Sequence, residues 1–210
     1  LLASSAASDV YKRQVQEIRY SLLIHVMSRL QKKLDAIISK YACLHDSVLS
    51  QKLFGIESDF VEKNPSLVRE YNDGDYFNLD VEIKLFTNDK AGKSGRARWY
   101  VVNKNVISSG IEHLERWKVI VSSANAGGQK RSNQIAVIDN HSAFGRSRVA
   151  LKTFETEKEA YNFFKYATSE IIRFAFLMTD ESLTSLAKKV PDLLLSLIHI
   201  SEPTRPLYIS

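Results

Sequence analysis

The chain has 210 residues, 44% of them hydrophobic, with 29 Lys and Arg against 24 Asp and Glu and a net charge of +5. That length suits one domain of ordinary size, or a domain with a helical appendage. A single cysteine, Cys43, excludes an internal disulfide framework and any multi-cysteine zinc site, the five histidines are scattered, and no apolar run reaches the ~18 residues of a membrane span, so a cytoplasmic protein is the default expectation.

The two ends have a foreign character. Ser5-Ala6-Ala7-Ser8-Asp9-Val10-Tyr11-Lys12-Arg13-Gln14 and Leu195-Ser196-Leu197-Ile198-His199-Ile200-Ser201-Glu202-Pro203-Thr204-Arg205-Pro206 resemble translated sequencing-adaptor read-through. Residues 1–14 and 194–210 are therefore set aside as non-native ends. The genuine chain is expected to be a fragment cut at about Val15 and about Leu193.

Residues 15–46 form a helical segment. Ile18, Leu22, Val26, Leu30, Leu34, Ile37 and Tyr41 recur at steps of three and four, the spacing of an amphipathic helix over 15–41. Gln31-Lys32-Lys33 falls mostly off that stripe and is assigned to solvent. His25 is a tolerated helix residue rather than a ligand, and Cys43 has no basic neighbour in sequence to activate it. Gly55 breaks the helical pattern, and Asn64-Pro65-Ser66 and Asn72-Asp73-Gly74 are turns.

From residue 79 to 85, Leu79, Val81, Ile83 and Leu85 alternate with Asp80, Glu82 and Lys84, which predicts a half-buried strand. The polar loop Thr87-Asn88-Asp89-Lys90-Ala91-Gly92-Lys93-Ser94-Gly95 follows. Its Gly-Lys-Ser echoes a phosphate-binding loop, but Thr87 holds the earlier glycine position and an extended segment follows instead of a helix. Without a helix N-terminus aimed at phosphates that mechanism is absent. Arg96-Ala97-Arg98-Trp99-Tyr100-Val101-Val102 reads as a strand with both arginines on one face.

A second sheet-forming stretch starts at Trp117-Lys118-Val119-Ile120-Val121-Ser122-Ser123, rich in β-branched residues. Asn125-Ala126-Gly127-Gly128-Gln129-Lys130-Arg131-Ser132-Asn133 has turn composition and two cations. Residues 134–138 form a return strand, and 146–152 a third. Alternation puts Ser147, Val149 and Leu151 on one face of that third strand and Arg146, Arg148 and Lys152 on the other. Two arginines on one strand face repel unless an anion lies across them, and the pattern occurs twice. Residues 88–152 hold twelve Lys and Arg against four Asp and Glu, a surplus of eight that exceeds the net charge of the whole chain. A basic middle with acidic flanks is the footprint of a nucleic-acid surface.

Thr156-Glu157-Lys158-Glu159 is a capping box, and Ala160, Phe163, Phe164, Ala167, Ile171, Phe174, Ala175 and Met178 continue it as an amphipathic helix. A second short helix over 181–189 stops before Pro191. The expected architecture is α+β: a long N-terminal helix, then a mixed β-sheet covered by C-terminal helices.

Several of these segments together resemble a known family. They are Phe86 through Tyr100, Trp117-Lys118-Val119-Ile120-Val121, Glu157-Lys158-Glu159-Ala160-Tyr161-Asn162-Phe163-Phe164-Lys165-Tyr166 and Val190-Pro191-Asp192. The pattern is similar to the C-terminal target-recognition region of adenine-specific restriction–modification methyltransferases of the fused Type IIG kind. Leu53-Phe54-Gly55-Ile56 resembles the Pro-Phe-Gly-Leu element that opens that region, with Leu53 in place of the proline. The resemblance covers residues 47–193 and implies a DNA-recognition domain. It also implies a covalently attached methyltransferase core in the parent protein, using S-adenosylmethionine. The Asn-Pro-Pro-Tyr that holds a flipped adenine in such cores has no equivalent here, since Asn64-Pro65 is followed by Ser66-Leu67. This chain alone is therefore expected to bind duplex DNA and not to catalyse. The candidate DNA contacts are Lys90, Lys93, Ser94, Arg96, Arg98, Asn125, Gln129, Lys130, Arg131, Asn133, Arg146 and Arg148, chemistries suited to phosphates, guanine and adenine edges.

Two other classes compete. Glu82-Ile83-Lys84 matches the Glu-x-Lys half of a metal-dependent nuclease site, with Asp59, Asp73 or Asp75 as the upstream carboxylate. An RNA-binding or protein-interaction module would also carry such a basic sheet.

Overall fold

A computed structural model of the protein describes residues 2–92, 94–123, 128, 134–178 and 186–193, with the backbone alone at 2–15, 18 and 19. Helix α1 (Leu2–Tyr41) ends where its pattern predicts, Ala42 taking a left-handed φ of 74°, and at its other end it also includes residues 2–14. Its C-terminal half docks on the domain. Leu34 is buried, Leu30, Ile37 and Ile38 are half-buried, and Asp35 pairs with Lys189 at 2.9 Å.

After the short helix α2 (Phe60–Lys63) come β1 (Val68–Glu70), β2 (Glu82–Asn88) and β3 (Ala97–Asn103). Then follow β4 (Trp117–Ser122), β5 (Ile135–Ile138), β6 (Ser142–Phe144), β7 (Arg148–Phe154), α3 (Glu157–Ala167) and α4 (Glu170–Leu177). The strands make two sheets where one was expected. The first has the order β1-β3-β2-β6 and the second β5-β4-β7. Every pairing is antiparallel except β2 with β6, which run parallel through Lys84–Ser142, Leu85–Ala143 and Phe86–Phe144.

The alternation of β4 explains the layering. Val119 and Val121 join a core cluster with Val149, Leu151 and Phe154 of β7, Ala160 and Phe163 of α3, and Ile172 and Phe176 of α4. Ile120 points the other way, into a cluster with Ala150 of β7, Ile83 and Leu85 of β2, Tyr100 of β3 and Phe144 of β6. The second sheet is thus covered by helices on one side and by the first sheet on the other, so its strands read as near-continuous apolar runs.

Several boundaries differ from the sequence pattern, each for a local reason. Leu79 and Val81 lie in a turn before β2, because the backbone N–H groups of Val81 and Glu82 bond to Asn78 O and the Glu82 carboxylate accepts from Asn78 N at 2.8 Å. The helix after Thr156 starts with both halves of its capping box but is interrupted at Ser169, whose extended backbone (φ −63°, ψ 150°) separates α3 from α4; Thr168 before it donates both its N–H and its hydroxyl to Phe164 O, at 2.9 and 2.7 Å. A bulge at Leu151 sets Val119 opposite Lys152 and Ile120 opposite Ala150. It moves Lys152 off the face of Arg148, and its ammonium pairs with Asp192 at 2.8 Å. Of the predicted helix over 181–189, residues 181–185 lie outside the described residues, and 186–189 form a turn that buries Leu186 and Ala187.

Lys118 is fully buried on the inter-sheet side of β4. Its ammonium donates to the carbonyls of Leu114 at 3.0 Å, Arg116 at 2.6 Å and Asp139 at 3.4 Å, and lies 5.8 Å from the Phe54 ring centre. Burial pushes its pKa down to about 7, with Asp139 pulling the other way. The unfolded lysine binds a proton up to its ordinary value of about 10.5. Between those values the unfolded state holds more protons, and stability rises with pH. Tyr166 opposes this only above the ordinary tyrosine range, because burial raises its pKa. Thermal melting between pH 7 and 9.5 should show a rise of several degrees that Lys118→Met abolishes. An identical slope in that variant would remove Lys118 as the cause.

Candidate nucleic-acid interface

The parallel pairing of β2 with β6 decides where the basic loops emerge. It brings the C-terminal ends of both strands together, and Gly145 N–H donates to Phe86 O at 3.0 Å. Antiparallel pairing places the start of β3 at the same end, Asn88 opposite Ala97, and the end of β4 opposite the start of β7, Ser122 across from Arg148. Ser123 N–H reaches Ser147 O at 3.0 Å, and its hydroxyl reaches Arg146 O at 3.3 Å. The β2–β3 loop, the β6–β7 turn and the base of the β4–β5 loop therefore share one end of the domain.

In the β2–β3 loop the Asp89 carboxylate accepts from Arg96 N–H at 2.7 Å, and Gly92 takes a φ of 82° at the tip. The Arg96 amide, and next the Arg98 guanidinium, hold the Asp89 pKa below the usual carboxylate range. Lys90, Ser94 and Arg96 are exposed. Arg98 stands opposite Thr87 in register and is pinned by Glu70 at 2.9 Å and Asp89 at 3.5 Å.

Arg146 precedes β7, in the turn. Its guanidinium pairs with Glu57 at 2.9 Å, and Glu57 also takes Lys52 at 2.9 Å; the two cations, Lys52 foremost, lower its pKa. Arg146 N–H donates to Ile56 O at 3.0 Å, and Gln51 donates to Arg146 O at 2.8 Å. The Leu53-Phe54-Gly55-Ile56 element sets this geometry. Gly55 has a φ of 71°, and Phe54 is buried edge-on against Phe144, ring centres 5.0 Å apart.

Arg148 behaves differently. It is only 9% exposed, its guanidinium lies 4.8 Å from the Phe86 ring centre, and burial lowers its pKa. The strand-face arrangement of Arg146, Arg148 and Lys152 expected from alternation thus separates into a partly exposed turn residue, a core-stacked residue and a residue on the helix side. Lys93, Asn125, Gln129, Lys130, Arg131 and Asn133 lie outside the described residues. Sequence reasoning missed Glu57 and Glu70, the carboxylates that pair with Arg146 and Arg98, and Lys52, the second cation on Glu57; only their charge marked them.

The Glu82-Ile83-Lys84 constellation sits toward the opposite end of β2. Glu82 approaches Arg69 at 4.0 Å, and Lys84 pairs with Asp139, from the turn after β5. Asp59 pairs with Lys63 at 2.6 Å, and Asp75 accepts from Asn72 N–H at 2.9 Å. Among the described residues no three His, Cys, Asp or Glu side chains group as a metal-binding set, and no helix is long and apolar enough to cross a membrane. Comparison with protein-family models, curated proteins and solved structures finds no match for the chain.

Two buried hydroxyls at the shared loop end, Thr87 Oγ1 and Ser147 Oγ, have no hydrogen-bond partner. A Cβ on Gly145 would lie 2.1 Å from Thr87 Oγ1 and 2.8 Å from Thr87 Cβ. Thr87→Val should stabilise the fold by up to about 1 kcal/mol, because it removes an unsatisfied hydroxyl without changing shape. Gly145→Ala should destabilise it by about 1–3 kcal/mol through overpacking. Urea unfolding of both variants measures this; a destabilised Thr87→Val would mean that the hydroxyl has a partner.

Proposed function

We propose that the chain recognises duplex DNA, as the target-recognition part of an adenine-specific restriction–modification methyltransferase of the fused Type IIG kind. The observation that supports it is the gathering of Lys90, Arg96, Arg98 and Arg146 at one end of a rigid two-sheet scaffold. Such an end can lie along a phosphate backbone while individual side chains enter a groove. Lys90 and Arg96, exposed and on a loop, are assigned to phosphates. Arg146, oriented by Glu57 and fixed through its own backbone, is assigned to a guanine edge, where bidentate contact needs a prepositioned guanidinium. Arg148 supports the turn through its stacking on Phe86. S-adenosylmethionine and the target adenine belong to the catalytic core of the parent, and a chain with this role works in the cytoplasm.

Duplex binding followed by fluorescence anisotropy at several salt concentrations tests the proposal. Affinity should fall linearly in log–log terms, with about 0.9 in slope for each phosphate contacted. Lys90→Ala and Arg96→Ala should each reduce the slope by about one and weaken all sequences alike. Arg146→Ala should cost about 1–3 kcal/mol on a preferred site selected from random duplexes and little elsewhere. Glu57→Gln should weaken the preferred site alone, by a smaller amount. Unchanged affinity and slope across these variants would overturn the assignment of this surface, and tighter binding to single strands than to duplex would favour an RNA-binding module.

A further inference from the structure

Beyond the shared loop end, the middle of α1 presents a second kind of surface. Between positions 20 and 27, six of eight residues are large and apolar. They are Tyr20, Leu22, Leu23, Ile24, Val26 and Met27, and all are exposed, at 38% to 66% of their full area. At about 100° per residue they sweep roughly 200° of the helix circumference, leaving Ser21 and His25 together on the remainder. A helix apolar over that much of its surface is one that something covers.

The spacing indicates what covers it. Tyr20, Leu23, Met27, Leu30, Leu34, Ile37 and Tyr41 alternate steps of three and four over three heptads, the seam of a coiled coil. The lower part of the seam is in use, with Leu34 buried and Leu30 and Ile37 half-buried against the domain. The upper part, Tyr20, Leu23 and Met27, extends beyond it. The globular part therefore holds the helix, and the open seam projects from it.

We propose that two copies of this chain associate through α1, the Tyr20–Leu23–Met27 seam of one copy packing on the same seam of the other. Charge favours a second copy over an acidic or basic partner: residues 20–28 contain no Lys, Arg, Asp or Glu, in a chain that is 25% charged. Identical faces can thus meet without like-charge repulsion. Area sets how much must be covered: the exposed parts of Tyr20, Leu23 and Met27 come to on the order of 300 Å² and those of the flanking Leu22, Ile24 and Val26 to about as much again, so a pair that also covers the flanks reaches the ~1,200 Å² at which stable interfaces begin. A self-complementary patch of this kind forms a closed two-fold pair.

Light scattering coupled to size exclusion, on the intact chain at tens of micromolar, tests this. The expected mass is twice the 23.9 kDa of one chain. Leu23→Lys combined with Met27→Lys should return it to a folded monomer whose thermal transition stays cooperative and no longer depends on protein concentration, because association no longer adds to stability. Ser21→Lys combined with His25→Lys, on the polar side, should remain a pair. A monomeric wild type, a spread of larger species, or a pair that survives the Leu23→Lys and Met27→Lys changes would overturn the proposal.

Discussion

Three residue pairs between β2 and β6 hold the arrangement together. The chain leaves the second sheet after β5, adds three residues to the edge of the first sheet as β6, and returns to the second as β7. Without that excursion the two sheets would meet through side chains alone, the shared core and contacts such as Arg148 on Phe86, which fix distance better than direction. The backbone bonds of β6 fix direction. They align the C-terminal ends of β2 and β6 and thereby decide that the loops rich in lysine and arginine leave from the same end. Gly145, just after β6, packs on Thr87 with no space for a side chain.

The charges at this end are arranged rather than merely accumulated. Arg98 has Glu70 and Asp89, and Arg146 shares Glu57 with Lys52. Surface pairs of this kind contribute little to stability, but they restrict the rotamers of long side chains and reduce the ordering that binding would otherwise require. Arg148 and Lys118 are the buried counterparts, one stacked on an aromatic ring and one enclosed by carbonyls. Both occupy the space between the sheets, where a methylene stem fills volume and the cationic head finds partners. The domain thus uses basic residues in two ways: Lys90 and Arg96 of the β2–β3 loop and the half-exposed Arg146 of the β6–β7 turn are open to an outside anion, whereas Arg148 and Lys118 are enclosed.

Much of the fold was legible in the chain. The β-branched run of β4, the arginine-bearing β3 and the Thr156 capping box each depend on residues near one another in sequence, and each element formed within two residues of its expected start. β6 was not legible, because Ser142-Ala143-Phe144 is too short to show a period and becomes a strand only by pairing with β2. The helix break falls at a single residue, Ser169, whose extended backbone interrupts an apolar pattern that otherwise runs on through it. For the candidate site, the sequence marked the right kind of residue but not its environment. Simple alternation set Arg146, Arg148 and Lys152 on one face, whereas the turn frees Arg146, Phe86 captures Arg148 and the Leu151 bulge redirects Lys152. The acidic partners Glu57 and Glu70 come from segments far away in the chain, and no local pattern connects them to the arginines.

On the proposed function, the end formed by the β2–β3 loop and the β6–β7 turn faces DNA. Hydrogen exchange of the intact chain, with and without saturating duplex at low salt, tests it without altering any residue. Exchange should slow on binding at the amides of residues 89–96 and 145–148, with no change at 78–82 and 104–115 on the opposite end. Protection confined to 78–82 and 104–115, or none anywhere in the presence of duplex, would contradict it.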